Sequence, residues 1–237
     1  MLNTILFDFD GTLLSIDTDR FIADYFSKVS SYLSKYFTES EVTNLFWGGT
    51  KSVIKSDDGT TTNQQVFFEY FFEHTDIDPE LILPYLDAFY DHVFPSLKPT
   101  TLNNDNMLKA IDILKEKGYN LVIATNPIFP AKAIMERIHW ADLDPKTFSH
   151  ITTFETSHYA KPNPHYFEEI LKDINKTADE VLMVGNHYLE DMIAHTLDIE
   201  TFLVNEHAMG EKDEALISHE GSSKDFLDFV QQLPKLK

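Results

Sequence analysis

Hydrophobic positions follow two regimes along the 237-residue chain. In the first, short aliphatic and β-branched runs are bounded by polar or turn residues. These are residues 4–7 (TILF), 120–125 (NLVIAT), 150–154 (HITTF), 180–184 (EVLMV) and 200–204 (ETFLV). Such runs suit strands buried on both faces of a parallel sheet. Between them, residues 105–117, 131–138, 164–174, 189–197 and 224–232 have helical character, with Met107, Ile111 and Leu114 on one face of the first. Gly118 follows as a stop, while Asn163 and Pro164 suit a helix cap and first turn. Alternating strands and helices predict a parallel, Rossmann-like α/β sheet wrapped on both faces.

The second regime covers residues 16–98, which contain no convincing buried strand. Phe21, Tyr25, Tyr32 and Tyr36 fall at helix-compatible spacing, as do Val66, Tyr70 and Glu73. Residues 56–62 (SDDGTTT) read as a turn between helices. An all-helical insertion within a core of residues 1–15 and 99–237 is the simplest account. Residues 47–51 (WGGTK) read as a glycine turn in that insertion. Phe67, Phe68, Phe71 and Phe72 read as its packing core and not as a substrate cage.

Composition narrows the functions. The chain carries 39 acidic and 19 basic residues, a formal net charge of −20. That surface repels nucleic acid and anionic membranes, and no basic cluster offsets it. With no cysteine, thiolate metal sites and cysteine nucleophiles are excluded. No apolar run approaches a signal or membrane-spanning segment, so a cytoplasmic protein, neither membrane-bound nor nucleic-acid-binding, is expected. The 19 Phe, 10 Tyr and 2 Trp provide material for a large core and for an aromatic-lined cleft.

Candidate chemistry lies at strand ends. Asp8 and Asp10 stand two apart after the first strand, so their carboxyls project together unless the chain turns early. Paired carboxylates are costly unless a proton or cation sits between them, and a hard divalent cation suits oxygen ligands. The plainer alternative is that they end a strand and cap a turn. Thr125 and Asn126 follow the second core strand, and Asn186 follows Gly185 after the fourth. Ligands of open parallel sheets bind beyond these carboxyl ends. Lys161, in AKPNP, supplies a cation there.

In this order the motifs resemble the haloacid dehalogenase superfamily of phosphohydrolases, in the group with a helical cap inserted after the first motif. FDFDGTLL (residues 7–14), IATN (residues 123–126), KPNP (residues 161–164) and GNHYLED (residues 185–191) carry the resemblance. It implies a Mg²⁺-dependent phosphatase acting on a small phosphorylated metabolite through an aspartyl-phosphate, with residues 16–98 as a substrate-selecting cap. Asp8 would be the nucleophile and Asp10 the acid and base. Thr125, Asn126 and Lys161 would hold the phosphoryl group, and Asp8, Asp10, Asn186 and Asp191 the metal. Haloacid dehalogenases proper lack an acid matching Asp10, since a halide leaves without a proton. A monomer is the simplest expectation.

The chain departs from the family at Asn186, where the fourth motif usually has Asp. Either Asn186 ligates the metal with Asp191 behind it, or Asp191 becomes the main anionic ligand. A phosphomutase, or a binding protein that keeps the fold without turnover, remains an alternative. Arg20 and Lys51 are candidates for a substrate anion. His158 and His187 are candidates for substrate contact or proton transfer, against the alternative of solvated loop histidines.

Overall fold

The computed structural model describes residues 1–236, and of residues 99–103 the backbone only. The first apolar run is β1 (Thr4–Phe7), buried at all four positions. After β2 (Leu14–Ile16) come four helices: α1 (Thr18–Leu33), α2 (Glu39–Lys55), α3 (Asn63–Glu73) and α4 (Pro79–His92). The chain returns as β3 (Thr101–Asn103), antiparallel to β2. It then alternates through α5 (Asp105–Lys117), β4 (Asn120–Ile123), α6 (Ala131–Trp140), β5 (His150–Ile151), α7 (Pro164–Asp173), β6 (Val181–Gly185), β7 (Glu200–Val204), β8 (His219–Gly221) and α8 (Ser223–Gln232).

Six strands form one sheet in the order β5-β4-β1-β6-β7-β8, with every pairing parallel. β1 lies between β4 and β6, so successive connections leave it in opposite directions. That reversal opens a crevice at the strands' carboxyl ends. Helix boundaries follow local chemistry. Gly118 caps α5 at φ 86°, a left-handed conformation that glycine adopts without strain. Asn163 caps α7 by accepting the His165 N–H at 3.0 Å.

Five segments differ from the pattern-based expectation. β2, β3 and β8, at three residues each, are too short to register as buried runs. Residues 189–197 supply a 3₁₀ segment, Met192–Leu197, in place of an α-helix. Much of the link from β6 to β7 is taken by the loop at 186–191, leaving only a tight turn to cross back. Gly48 and Gly49 lie inside α2, not in a turn. Here close packing overrides the weak helix propensity of glycine: a Cβ on Gly49 would stand 2.6 Å from the Phe67 ring. Gly49→Ala is therefore expected to destabilise the fold by about 1–3 kcal/mol, despite alanine's better propensity. Urea unfolding checks this, and a stabilised variant would show that the Phe67 ring moves freely.

The inserted helices share one aromatic core with the sheet domain. Tyr25 packs on Phe46, Phe89, Phe94 and Phe129, and Phe67 on Phe46 and Phe154. The start of α3 is also bonded to loops beyond it. Buried Asn63 donates from Nδ2 to the carbonyls of Pro127 and Tyr159, each at 3.1 Å. Among the described residues no helix is long and apolar enough to cross a membrane.

Candidate active site

The crevice beside β1 collects groups from three strand ends. Asp8 follows β1 and donates its N–H to the Val184 carbonyl at 2.8 Å, which holds the backbone against β6. Gly11 then turns the chain at φ 85°. A Cβ there would approach Asn186 Cγ to 3.0 Å, so glycine lets the Asn186 amide lie against the turn. The Thr12 hydroxyl stands 3.4 Å from Asp8 Oδ2 and 3.3 Å from Asn186 Oδ1, linking the two loops.

Lys161 is 1 % exposed and donates to Asp8 Oδ1 at 2.9 Å and to Asp191 Oδ1 at 2.6 Å. The other Asp191 oxygen accepts the N–H groups of Asn186 and His187 at 3.0 and 2.9 Å. Both oxygens of this buried carboxylate are thus occupied, and Asp191 sits behind the loop, orienting Lys161 and two main-chain amides. Burial works against charge on Lys161, but the Asp191 and Asp8 carboxylates raise its pKa above the usual lysine value. Burial and the Asp191 charge push Asp8 up to about 6, with Lys161 pulling the other way.

Asn186 takes the forward position. Its Nδ2 donates to the His207 carbonyl at 2.7 Å, a bond that only the amide nitrogen can make. Oδ1 is therefore turned toward Thr12 and Asp8. The Asp8 carboxylate and this amide oxygen are donors of the kind a hard divalent cation prefers. Among the described residues no three His, Asp or Glu side chains are grouped to hold a metal. The donor set thus suits magnesium chemically but offers it one carboxylate and one neutral oxygen from these two side chains.

Asp10 has a partner that sequence reasoning missed. Arg137, on α6 and 1 % exposed, donates from Nη1 to Asp10 Oδ2, and its guanidinium lies 4.9 Å from the centre of the Phe129 ring. Burial raises the Asp10 pKa, while Arg137 opposes the rise. Asp10 Oδ1 and Arg137 Nε are buried without a hydrogen-bond partner. A signal was present in the sequence: Arg137 falls on the same buried helical face as Ala133, Ile134 and Ile138. An arginine there needs an internal partner.

Thr125 lies at the end of β4, and its carbonyl accepts the Thr152 and Tyr166 hydroxyls at 2.7 and 2.8 Å. Asn126 donates from Nδ2 to Glu190 at 3.1 Å, and its Oδ1 is buried and unpaired. Both residues line the crevice with Asp8, Asp10, Asn186 and His187. His187 accepts the N–H groups of Leu189 and Glu190 at Nδ1, which places the proton of the neutral ring on Nε2. His158 instead bonds Glu169 through both its ring and its N–H, and does not line the crevice. Arg20 is 64 % exposed beside Asp24, and Lys51 is exposed on α2; neither reaches the crevice wall.

The crevice widens into a cavity of about 800 Å³ between the inserted helices and the sheet domain. Phe67 and Phe68 line it, so these two rings serve as wall as well as packing, whereas Phe71 is fully buried.

The fold and this arrangement define a hydrolase class. A family model described as haloacid dehalogenase-like hydrolase matches residues 2–194, and the chain belongs to that family. Among curated proteins it is similar to pyrophosphatase PpaX of Anoxybacillus flavithermus, 25% identical over 193 residues, 81% of this chain and 78% of the relative. PpaX of Bacillus pumilus is 23% identical over 218 residues, 92% of this chain and 89% of the relative. Among solved structures, a HAD phosphatase from Thermococcus onnurineus superposes with a TM-score of 0.63 at 19% identity, covering 99% of this chain and 100% of the other. The L-2-haloacid dehalogenase from Xanthobacter autotrophicus does so at 0.57 and 11% identity, covering 98% and 100%. These likenesses concern the fold.

Proposed function

We propose that the chain is a phosphohydrolase of phosphate monoesters, with Asp8 as nucleophile. The observation that carries this reading is the buried Lys161 bridge between Asp8 and Asp191 at the sheet's reversal point. Lys161 fixes the direction of Asp8 and supplies positive charge where phosphoryl oxygens would gather. An oxygen of Asp8 attacks phosphorus as the ester P–O bond breaks, and Asp10 gives its proton to the departing oxygen. Water then attacks the aspartyl-phosphate, Asp10 takes back a proton, and inorganic phosphate leaves. Thr125 and main-chain N–H groups would hold the phosphoryl oxygens. Arg137 fixes the position of Asp10, whose raised pKa suits an acid that must exchange protons.

Magnesium, held by Asp8, Asn186 Oδ1 and the Asp10 main-chain carbonyl, would supply positive charge against the phosphoryl oxygens. Asp10 favours phosphoryl transfer over dehalogenation, and the PpaX relatives agree with a phosphate substrate. Helices α1–α4, within residues 16–98, would act as the cap that closes over a small phosphorylated substrate.

Phosphate release from an aryl phosphate, with and without magnesium, tests this reading. Magnesium-stimulated release is expected, and Asn186→Asp is expected to lower the magnesium concentration for half-stimulation about tenfold, by adding a second anionic ligand. Silence toward a broad panel of phosphate esters, with manganese also tried, would sink the assignment.

A further inference from the structure

The cavity wall gives information about the group that phosphate leaves behind. Deep in the cavity the wall is aromatic and aliphatic, with Phe21, Phe26, Phe46, Phe67, Phe68 and Phe129 among its residues. Toward solvent, Trp47, Ile54, Leu83 and Met209 all line it while remaining 40, 36, 37 and 44 % exposed. Large apolar side chains left in water around one concavity mark a binding surface. Packing alone does not explain them.

Charge on the wall excludes another class of ligand. Arg137 is the one lysine or arginine on it among the described residues, and its Nη1 is already committed to Asp10. Acidic side chains are more numerous: beyond Asp8, Asp10 and Asp191, the wall carries Asp87, Glu155 and Glu190. Glu155 is engaged with the Ala131 N–H and Glu190 with Asn126. Asp87 is paired with Lys132, outside the wall. A second phosphate or a carboxylate on the substrate would meet negative charge with no spare cation to receive it. The hydroxyls of Tyr25 and Tyr90 bond each other at 2.9 Å, so of the two O–H groups one is left to donate.

We infer that the substrate is a phosphate monoester of a bulky, uncharged, ring-bearing alcohol, and not a small polyanion such as pyrophosphate or phosphoglycolate. The inference takes the position of the phosphate from the proposed phosphohydrolase activity, but the apolar site stands on the wall itself. Ring stacking against Phe and Trp side chains supplies selectivity for flat groups. The alcohol leaves with a proton from Asp10, and its hydrophobic body stays in the cavity until the inserted helices release it.

Two sets of measurements separate this inference from the activity. In the first, calorimetry with the intact protein and magnesium compares methylphosphonate, benzylphosphonate, (1-naphthyl)methylphosphonate and methylenediphosphonate, none of which is hydrolysed. Affinity is expected to rise with ring size, the naphthyl compound binding at least about tenfold tighter than the methyl compound and the diphosphonate. In the second, kcat/KM is compared for 2-(1-naphthyl)ethyl phosphate and ethyl phosphate, whose leaving groups have similar basicity, and for pyrophosphate and phosphoglycolate. The naphthyl ester is expected to lead each of the others at least tenfold. Ring-dependent binding without phosphate release from any ester would support the cavity assignment and sink the phosphohydrolase reading. Preferred hydrolysis of pyrophosphate or phosphoglycolate would keep that reading and overturn this one. Affinity independent of ring size, or tightest for the diphosphonate, would also overturn it.

Discussion

Asp8→Asn is expected to lower kcat by about 10³-fold or more and, at the same time, to stabilise the folded protein at pH 7.5. The first effect follows from removing the attacking oxygen. The second follows from burial. In the unfolded chain Asp8 titrates near its ordinary value of 3.8, but in the fold it is pushed up to about 6. The native state therefore binds the proton more tightly, and stability falls as pH rises from about 4 through 6. Asparagine cannot ionise and escapes that cost. The gain is expected to be of the order of 1–3 kcal/mol above pH 6, shrinking to nothing near pH 4. Scanning calorimetry of both proteins across this range checks it. A variant less stable than wild type at pH 7.5 would show that Asp8 is held chiefly by the bond it receives from Lys161.

Lys161→Met is the converse case. It removes the cation between two buried carboxylates and leaves Asp8 and Asp191 facing each other without compensation. Breaking a buried pair in this way costs about 3–5 kcal/mol. Loss of the charge opposite the phosphoryl group is expected to lower kcat by a further 10²–10³-fold, roughly. The deficit carries a pH signature. Without Lys161 nothing in its place lowers the Asp8 pKa, so the carboxyl takes up its proton already above pH 6 and the deficit narrows as pH falls toward 6. Urea unfolding at pH 7.5 and pH 5.5 reads both parts. A small deficit that does not change with pH would mean that water reaches the site and replaces the lysine.

The strand-end chemistry was legible in the sequence because strand ends are punctuated. Asp8, Thr125 and Asn186 each follow an apolar run, and an α/β sheet brings such ends to one rim. What the runs could not convey is which way a side chain points after the strand stops. Asp191 and Asn186 are both polar and close in sequence, yet the tight turn after β6 sends one behind Lys161 and the other toward Asp8. Arg137 was hidden by its charge, which reads as surface until its helical face is traced. Helical periodicity identifies Phe67 and Phe68 as inward-facing, but inward is the same direction whether a core or a cavity lies there. Gly48 and Gly49 read as a break because the rings against which they pack lie on another helix.

The position of β1 also determines when the site can exist. This strand is made first, yet its neighbours in the sheet are Asn120–Ile123 and Val181–Gly185, so Thr4 must wait for Asn120 on one side and Val181 on the other. Long-range parallel pairing of this kind is slow and leaves an apolar strand without its sheet partners in the meantime. On the ribosome, α1–α4 can form from local contacts while TILF is still waiting. Asp8 then gains its surroundings only after Val181–Gly185 has been synthesised, and a product truncated before it carries an exposed aggregation-prone strand with none of the chemistry.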